Sequence, residues 1–194
     1  MLLASTPLQT ILRGFFILRR FGMNFLEKDL EEIIFTADRE LLKQRGLCIE
    51  GHLKRQKKIG KYGKADLIEI KRPYFHYGIN KITKGEIIVY ELKKENISVS
   101  TFLQALGYLK GIKRYLEKRG KDKLFNYSII IIGKKIDVKS SFCYLSEFIN
   151  YGNDSDLDLH DNSKFSLKTF TYYYKVDGVY FNEEEGFRQE NEGF

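Results

Sequence analysis

Apolar residues along this chain change their period several times, and each change marks an element. Over Asn24–Arg45, Leu26, Leu30, Ile33, Ile34, Ala37, Leu41 and Leu42 recur every three to four residues. That spacing predicts one amphipathic helix, with Asn24 at its N-cap and Gly46 as its stop. Leu47–Gln56 and Ala65–Ile70 read as strands joined by the basic, glycine-containing KKIGKYGK, a hairpin signal. In EIIVYELKK (86–94) the period is two: Ile87, Val89, Glu91 and Lys93 share one face of a strand, and Ile88, Tyr90 and Leu92 the other.

A second helix is predicted over Thr101–Arg119, with Phe102, Leu103, Leu106, Leu109, Ile112 and Leu116 as its buried side. Tyr127–Ile132 is a continuous apolar run of the kind found inside a covered sheet. Residues 143–149 fit a short helix or strand, and Phe165–Phe181 holds two β-rich runs around Asp177-Gly178, a tight-turn dipeptide. The order α-β-β-β-α-β predicts an α/β domain with a mixed central β-sheet flanked by helices, spanning residues 24–181. Residues 1–23 form a basic, acid-free extension, read either as a targeting-like peptide or as an over-extended start. Residues 182–194 form an acidic tail.

Composition narrows the setting. The 194 residues are 43% hydrophobic and 30% charged, which suits one soluble globular domain. Arg13 interrupts the early apolar stretch, so no membrane span is expected. Cys48 and Cys143 make no CxxC pair, which suggests neither a disulfide framework nor a zinc site and fits a reducing, cytoplasmic setting. The net charge of +7 is uneven: residues 51–85 carry ten Lys/Arg against two acids. An anionic partner such as nucleic acid fits that patch, and a solvated lysine-rich surface fits it equally.

The acids and bases at the strand ends carry the chemistry. Asp66 opens DLIEI, and Glu91 and Lys93 close the next strand. If the strands are neighbours, the two carboxylates converge and need a cation between them. Hard oxygen ligands suit Mg²⁺ or Mn²⁺. Lys93, one pleat along, would then orient an attacking water and stabilise charge on a phosphate, as phosphodiester hydrolysis requires. A surface ion pair would leave the same pattern. Gln104 and Tyr108 lie one helical turn apart, placed either to face that site or to serve as a solvated residue and a core edge. Glu27 either lends a third carboxylate or closes a capping box from Asn24.

EKDLEEIIF (27–35), GKADLIEI (63–70), IIVYELKK (87–94) and QALGYLKGI (104–112) resemble the successive motifs of the PD-(D/E)xK nuclease superfamily. The likeness is greatest to the catalytic domain of NucS/EndoMS-type DNA endonucleases, and covers about residues 24–133. The resemblance implies a restriction-endonuclease-like core. It implies metal-dependent DNA cleavage leaving a 5′-phosphate, with Glu27, Asp66 and Glu91 as the acidic cluster. Lys93 would be the catalytic lysine, Gln104 and Tyr108 the flanking helix pair, and the Leu92 carbonyl a further metal ligand.

Some positions depart from the pattern. Ala65 stands where a proline is common, and the connection 71–85 is longer than usual between the two acids. That group also carries an amino-terminal DNA-binding and dimerisation domain for which this chain leaves no room, so mismatch recognition is not carried over. Homodimerisation stays open.

Lys54, Arg55, Lys57, Lys58, Lys61 and Lys64, on the hairpin leading into Asp66, are expected to neutralise DNA phosphates. Asp154, Asp156 and Asp158 lack the glycine and glutamate of a calcium loop, and His52, His76 and His160 lack ligand spacing. Tyr172–Tyr174 are expected to pack or edge the sheet. The alternatives to a deoxyribonuclease are a catalytically silent nuclease-fold module that binds nucleic acid, and a metal-dependent ribonuclease.

Overall fold

The computed structural model describes residues 25–77, 81–137, 141–146, 149 and 165–184. The amino-terminal extension, Asn24, the acidic loop with its three aspartates, His160 and residues 185–194 lie outside the described residues. The structure is mixed α/β, with a six-stranded sheet covered by helices on both faces. In chain order the elements begin with α1 (Glu27–Thr36) and α2 (Arg39–Gln44). Strands β1 (His52–Lys58), β2 (Lys64–Lys71), β3 (Tyr74–His76), β4 (Lys81–Thr83), β5 (Gly85–Leu92) and β6 (Asn96–Ile97) follow. Next come α3 (Val99–Glu117), β7 (Phe125–Gly133), β8 (Lys135–Ile136), β9 (Phe165–Lys175) and β10 (Gly178–Glu183).

The main sheet has the order β1-β2-β5-β7-β9-β10. β5, β7 and β9 run parallel, and the outer pairs are antiparallel. Alternation in β5 divides the core. Ile88, Tyr90 and Leu92 pack with Leu30, Ile34 and Leu42 beneath α1 and α2. Ile87 and Val89 pack with Phe102, Ala105, Tyr108 and Leu109 of α3. Among the described residues, no helix is long and apolar enough to cross a membrane.

Several local expectations are corrected. The first helix breaks at Ala37, whose backbone is extended, because Asp38 caps a new helix by accepting from Glu40 N and Leu41 N at 3.0 and 3.2 Å. Helix α1 also starts later than expected. Leu26 is its N-cap, and its N–H donates to Asp29 Oδ2 at 2.8 Å, so Asp29 closes the helix start and Glu27 does not. β1 begins at His52, because residues 47–50 form an irregular lead-in that bends at Gly51. Leu103 and Leu106 are exposed, at 58% and 37%, while Ala105 and Tyr108 are buried. Phe102, Leu109, Ile112 and Leu116 lie on the covered side as expected, and the stripe is shifted by less than one residue toward Ala105 and Tyr108. Residues 142–146 are helical, and the long Tyr/Lys-rich connection folds into the β3–β4 hairpin. β10 runs on to Glu183, where Lys168 pairs with it at 2.7 Å, so the ordered chain continues past residue 181.

Candidate active site

The site lies where β2 and β5 part. Their antiparallel ladder runs from Lys71↔Glu86 to Leu67↔Tyr90 and stops there. One step further the opposed residues are Asp66 and Glu91. Glu91 lies on the α3 face with Ile87 and Val89, and the charge of Asp66 reaches it. In place of a further backbone bond, Asp66 Oδ2 accepts from Leu92 N at 3.0 Å. β5 stays attached to β7 on its other side, where Lys93 N donates to Ile132 O at 2.8 Å. A carboxylate has therefore taken the place of a ladder acceptor at the point of divergence.

Glu91 is 1% exposed. Its Oε1 accepts from Lys93 Nζ at 2.8 Å, and its buried Oε2 has no hydrogen-bond partner among the described residues. Burial, then the charge of Asp66, pushes the Glu91 carboxyl up to about 7 against the pull of Lys93. Asp66 is raised as well, chiefly by burial and partly offset by the Leu92 N–H and Lys93. Burial alone would lower Lys93, but its hydrogen bond to Glu91 and the surrounding carboxylates raise it, so it stays cationic.

The remaining side chains form a chain of contacts. Gln104 Oε1 lies 3.5 Å from Lys93 Nζ, and Gln104 Nε2 donates to Tyr108 Oη at 2.8 Å. Tyr108 is fixed from behind by Gly63, at φ +105°, where an added Cβ would sit 3.1 Å from the ring. Asp66, Glu91, Lys93, Gln104 and Tyr108 are thus brought together. Glu27, at the start of α1, is near enough for its charge to act on Asp66, Glu91 and Lys93.

Sequence reading missed Glu31. It lies one turn after Glu27, is 3% exposed, and its charge raises Asp66. Arg55 Nε and Gln56 Nε2 both donate to its carboxylate. Gln56 is the one described non-glycine residue with positive φ, at 51°, and it stands opposite Asp66 in the β1–β2 register. That conformation is strained for an L-residue. The legible signal was the i, i+4 pair of acids on one helix face. Arg55, expected on phosphate, is engaged by Glu31 and Glu32 on the α1 side. Lys54, Lys57, Lys58, Lys61 and Lys64 are exposed.

The residues set aside behave as packing groups. His76 bonds Thr83 at 2.8 Å inside the small hairpin, and Cys48 and Cys143 form no disulfide. Tyr172 is buried and donates to Lys94 O at 2.6 Å, while Tyr173 stacks on Tyr180.

The carboxylates of Asp66 and Glu91 are the oxygen donors that the structure brings together here. Among the described residues no group of three or more His, Cys, Asp or Glu side chains is gathered tightly enough to cage one. The unpartnered Glu91 Oε2 beside Asp66 fits a hard divalent ion that keeps several of its waters. Comparison with protein-family models, curated proteins and solved structures finds no match for this chain.

Proposed function

We propose that this chain is a divalent-metal-dependent deoxyribonuclease with a restriction-endonuclease-like core. The observation that carries the reading is the break in the β2–β5 ladder. It leaves Asp66 and Glu91 side by side beyond the last paired residues, with a buried carboxylate oxygen unpartnered and a lysine 2.8 Å from the other oxygen. A structural ion pair does not require the sheet to open at that point.

Asp66, Glu91 and the Leu92 carbonyl would hold Mg²⁺ or Mn²⁺, which when bound supplies Lewis acidity toward the scissile phosphate. Lys93 remains protonated and serves as a cationic donor to the phosphate and to the attacking water, not as a proton acceptor. Gln104 fixes the reach of Lys93 and is itself fixed by Tyr108. Glu31 holds the strained Gln56 and sets the negative field behind Asp66; the role of Glu27 is to complete that field. The exposed lysines of the β1–β2 hairpin neutralise the flanking phosphates.

The test is cleavage of supercoiled plasmid and of single-stranded circular DNA with Mg²⁺, Mn²⁺ or EDTA, beside matched RNA and the Lys93→Ala protein. Metal-dependent DNA cutting that disappears in the variant is the expected result. Salt-sensitive binding with no cutting under either metal would assign the chain to the silent binding modules, and faster cutting of RNA to the ribonucleases.

A further inference from the structure

A concave feature lies on the α3 face of the sheet, with its floor set back along the strands from Glu91 and its hairpin wall close to Asp66. It is an open groove of about 940 Å³ between the β1–β2 hairpin and the C-terminal half of α3. Ile68, Ile70, Ile87 and Phe125 form its floor. Ile87 precedes Glu91 by four residues, so the groove opens roughly 13 Å from the carboxylates at the rise of a β-strand.

Its walls are mostly basic. Lys54, Lys57 and Lys58 stand on the hairpin side, and Arg114 and Lys118 on the helix side, with Glu117 the one acid on the rim. Tyr62 and Tyr115 add aromatic surface, and Tyr115 is 55% exposed.

The groove is held open by contacts that the fold enforces. The 3-10 turn Gly60–Tyr62 rests on α3 at Gly111, where a Cβ would come within 2.5 Å of Ile59 and 2.6 Å of Tyr62. Arg114 Nη1 donates to Tyr62 Oη at 2.6 Å across the same junction. Gly63, the next residue, packs on Tyr108 of the candidate site. The groove and the site therefore share a wall, with Lys61 lining the groove and Lys64 exposed on the hairpin beside it.

We infer that this groove binds an unpaired nucleic-acid strand flanking the scissile position, with bases on the apolar floor and phosphates on the basic rim. The inference rests on the nuclease reading for the identity of the strand. Charge and surface chemistry select this occupant. A duplex presents phosphates outward and keeps its bases stacked inside, so it leaves an apolar floor unused. An unpaired strand offers both apolar base faces and anionic phosphates, the pairing that stacking platforms with cationic walls recognise.

Binding of a fluorescent oligothymidylate of about 15 nucleotides to the full chain in EDTA, read by anisotropy, separates this from the cleavage question. Three variants are compared: Tyr115→Ala, Lys118→Glu, and Lys43→Glu on α2 across the sheet as a charge control. Tyr115→Ala should weaken strand binding about fivefold and Lys118→Glu about tenfold, with Lys43→Glu within about twofold. A blunt duplex of the same length should bind more weakly and lose less than about twofold with Tyr115→Ala.

Equal loss from all three variants would reduce the groove to bulk charge and overturn the inference. So would an unchanged affinity in Tyr115→Ala. Displacement of the strand by oligoglutamate at equal concentration would also overturn it, in favour of an acidic protein partner. The two readings fail separately. A protein that cuts nothing but shows the expected variant pattern keeps the groove and loses the nuclease. One that cuts with Mg²⁺ but shows no groove effect does the reverse.

Discussion

Glu69 and Glu91 sit on adjacent strands of one sheet, 0% and 1% exposed, and the fold treats them in opposite ways. Glu69, on the α1–α2 face, is fully satisfied. Its Oε1 accepts from Glu50 N at 2.9 Å and from Gly51 N, and its Oε2 accepts from Tyr90 Oη at 2.6 Å. It ties the lead-in before β1 to the middle of the sheet. Gly51 permits this approach, since a Cβ there would lie 2.8 Å from both Glu69 Cγ and Ile70 O.

Glu91, on the α3 face, has one donor and one orphan oxygen, next to a second carboxylate. A buried acid surrounded by donors is a structural fastener. One held beside a second carboxylate with an oxygen unpartnered carries a cost that the proposed nuclease would relieve by binding a cation.

Four substitutions or conditions probe this contrast. The largest effect is expected from Glu91→Gln, which removes a charged oxygen ligand and should lower metal-dependent cleavage by about 10²–10³-fold, as for loss of a principal electrostatic group. Plasmid cleavage at saturating Mg²⁺ measures it; wild-type rates would remove Glu91 from the site. Glu69→Leu should leave the Glu50 and Gly51 N–H groups and the Tyr90 hydroxyl unpaired, and destabilise the fold by about 3 kcal/mol. Urea unfolding checks this, and cleavage per folded molecule should stay near wild type.

The third effect has the opposite sign. In EDTA, Glu91→Gln should stabilise the protein at neutral pH by roughly 1–3 kcal/mol, because a neutral side chain no longer ionises in a buried site. Glu91 titrates at about 7 when folded against 4.5 when unfolded. Between those values the folded state holds the extra proton, so wild-type stability falls as pH rises from about 4.5 through about 7. Asp66 is shifted in the same direction. Denaturation midpoints at pH 5 and pH 8, in wild type and variant, read the difference; parallel curves would show that Glu91 is already neutralised. The smallest effect is expected from Gln104→Ala. It frees Lys93 from a long contact and should slow cleavage about tenfold, near 1.4 kcal/mol, without a change in stability.

Much of this was readable from one dimension. The alternation of Ile87, Val89 and Glu91 against Ile88, Tyr90 and Leu92 is a local property of strand backbone, so the face of Glu91 followed from its neighbours. The hairpin before Asp66 and the tight turn near Asp177 were legible for the same reason. Stripe phase on α3 was not. Leu103 and Leu106 are as apolar as Leu109, and only the position of the sheet decides which leucines it covers. Nor was the break in the first helix, because an aspartate inside a periodic run announces a cap only once the chain has turned there.

What local chemistry settled, then, is the alternation of layers, the residues at the strand ends, and the excess of positive charge on one stretch. Those depend on contacts within a few residues. The opening of β2 from β5, the orphaned oxygen of Glu91, the hold of Glu31 on Arg55 and Gln56, and the groove beside α3 depend on residues far apart in the chain. No window of sequence contains them, since burial and partner loss are properties of packing, fixed when helices and sheet meet.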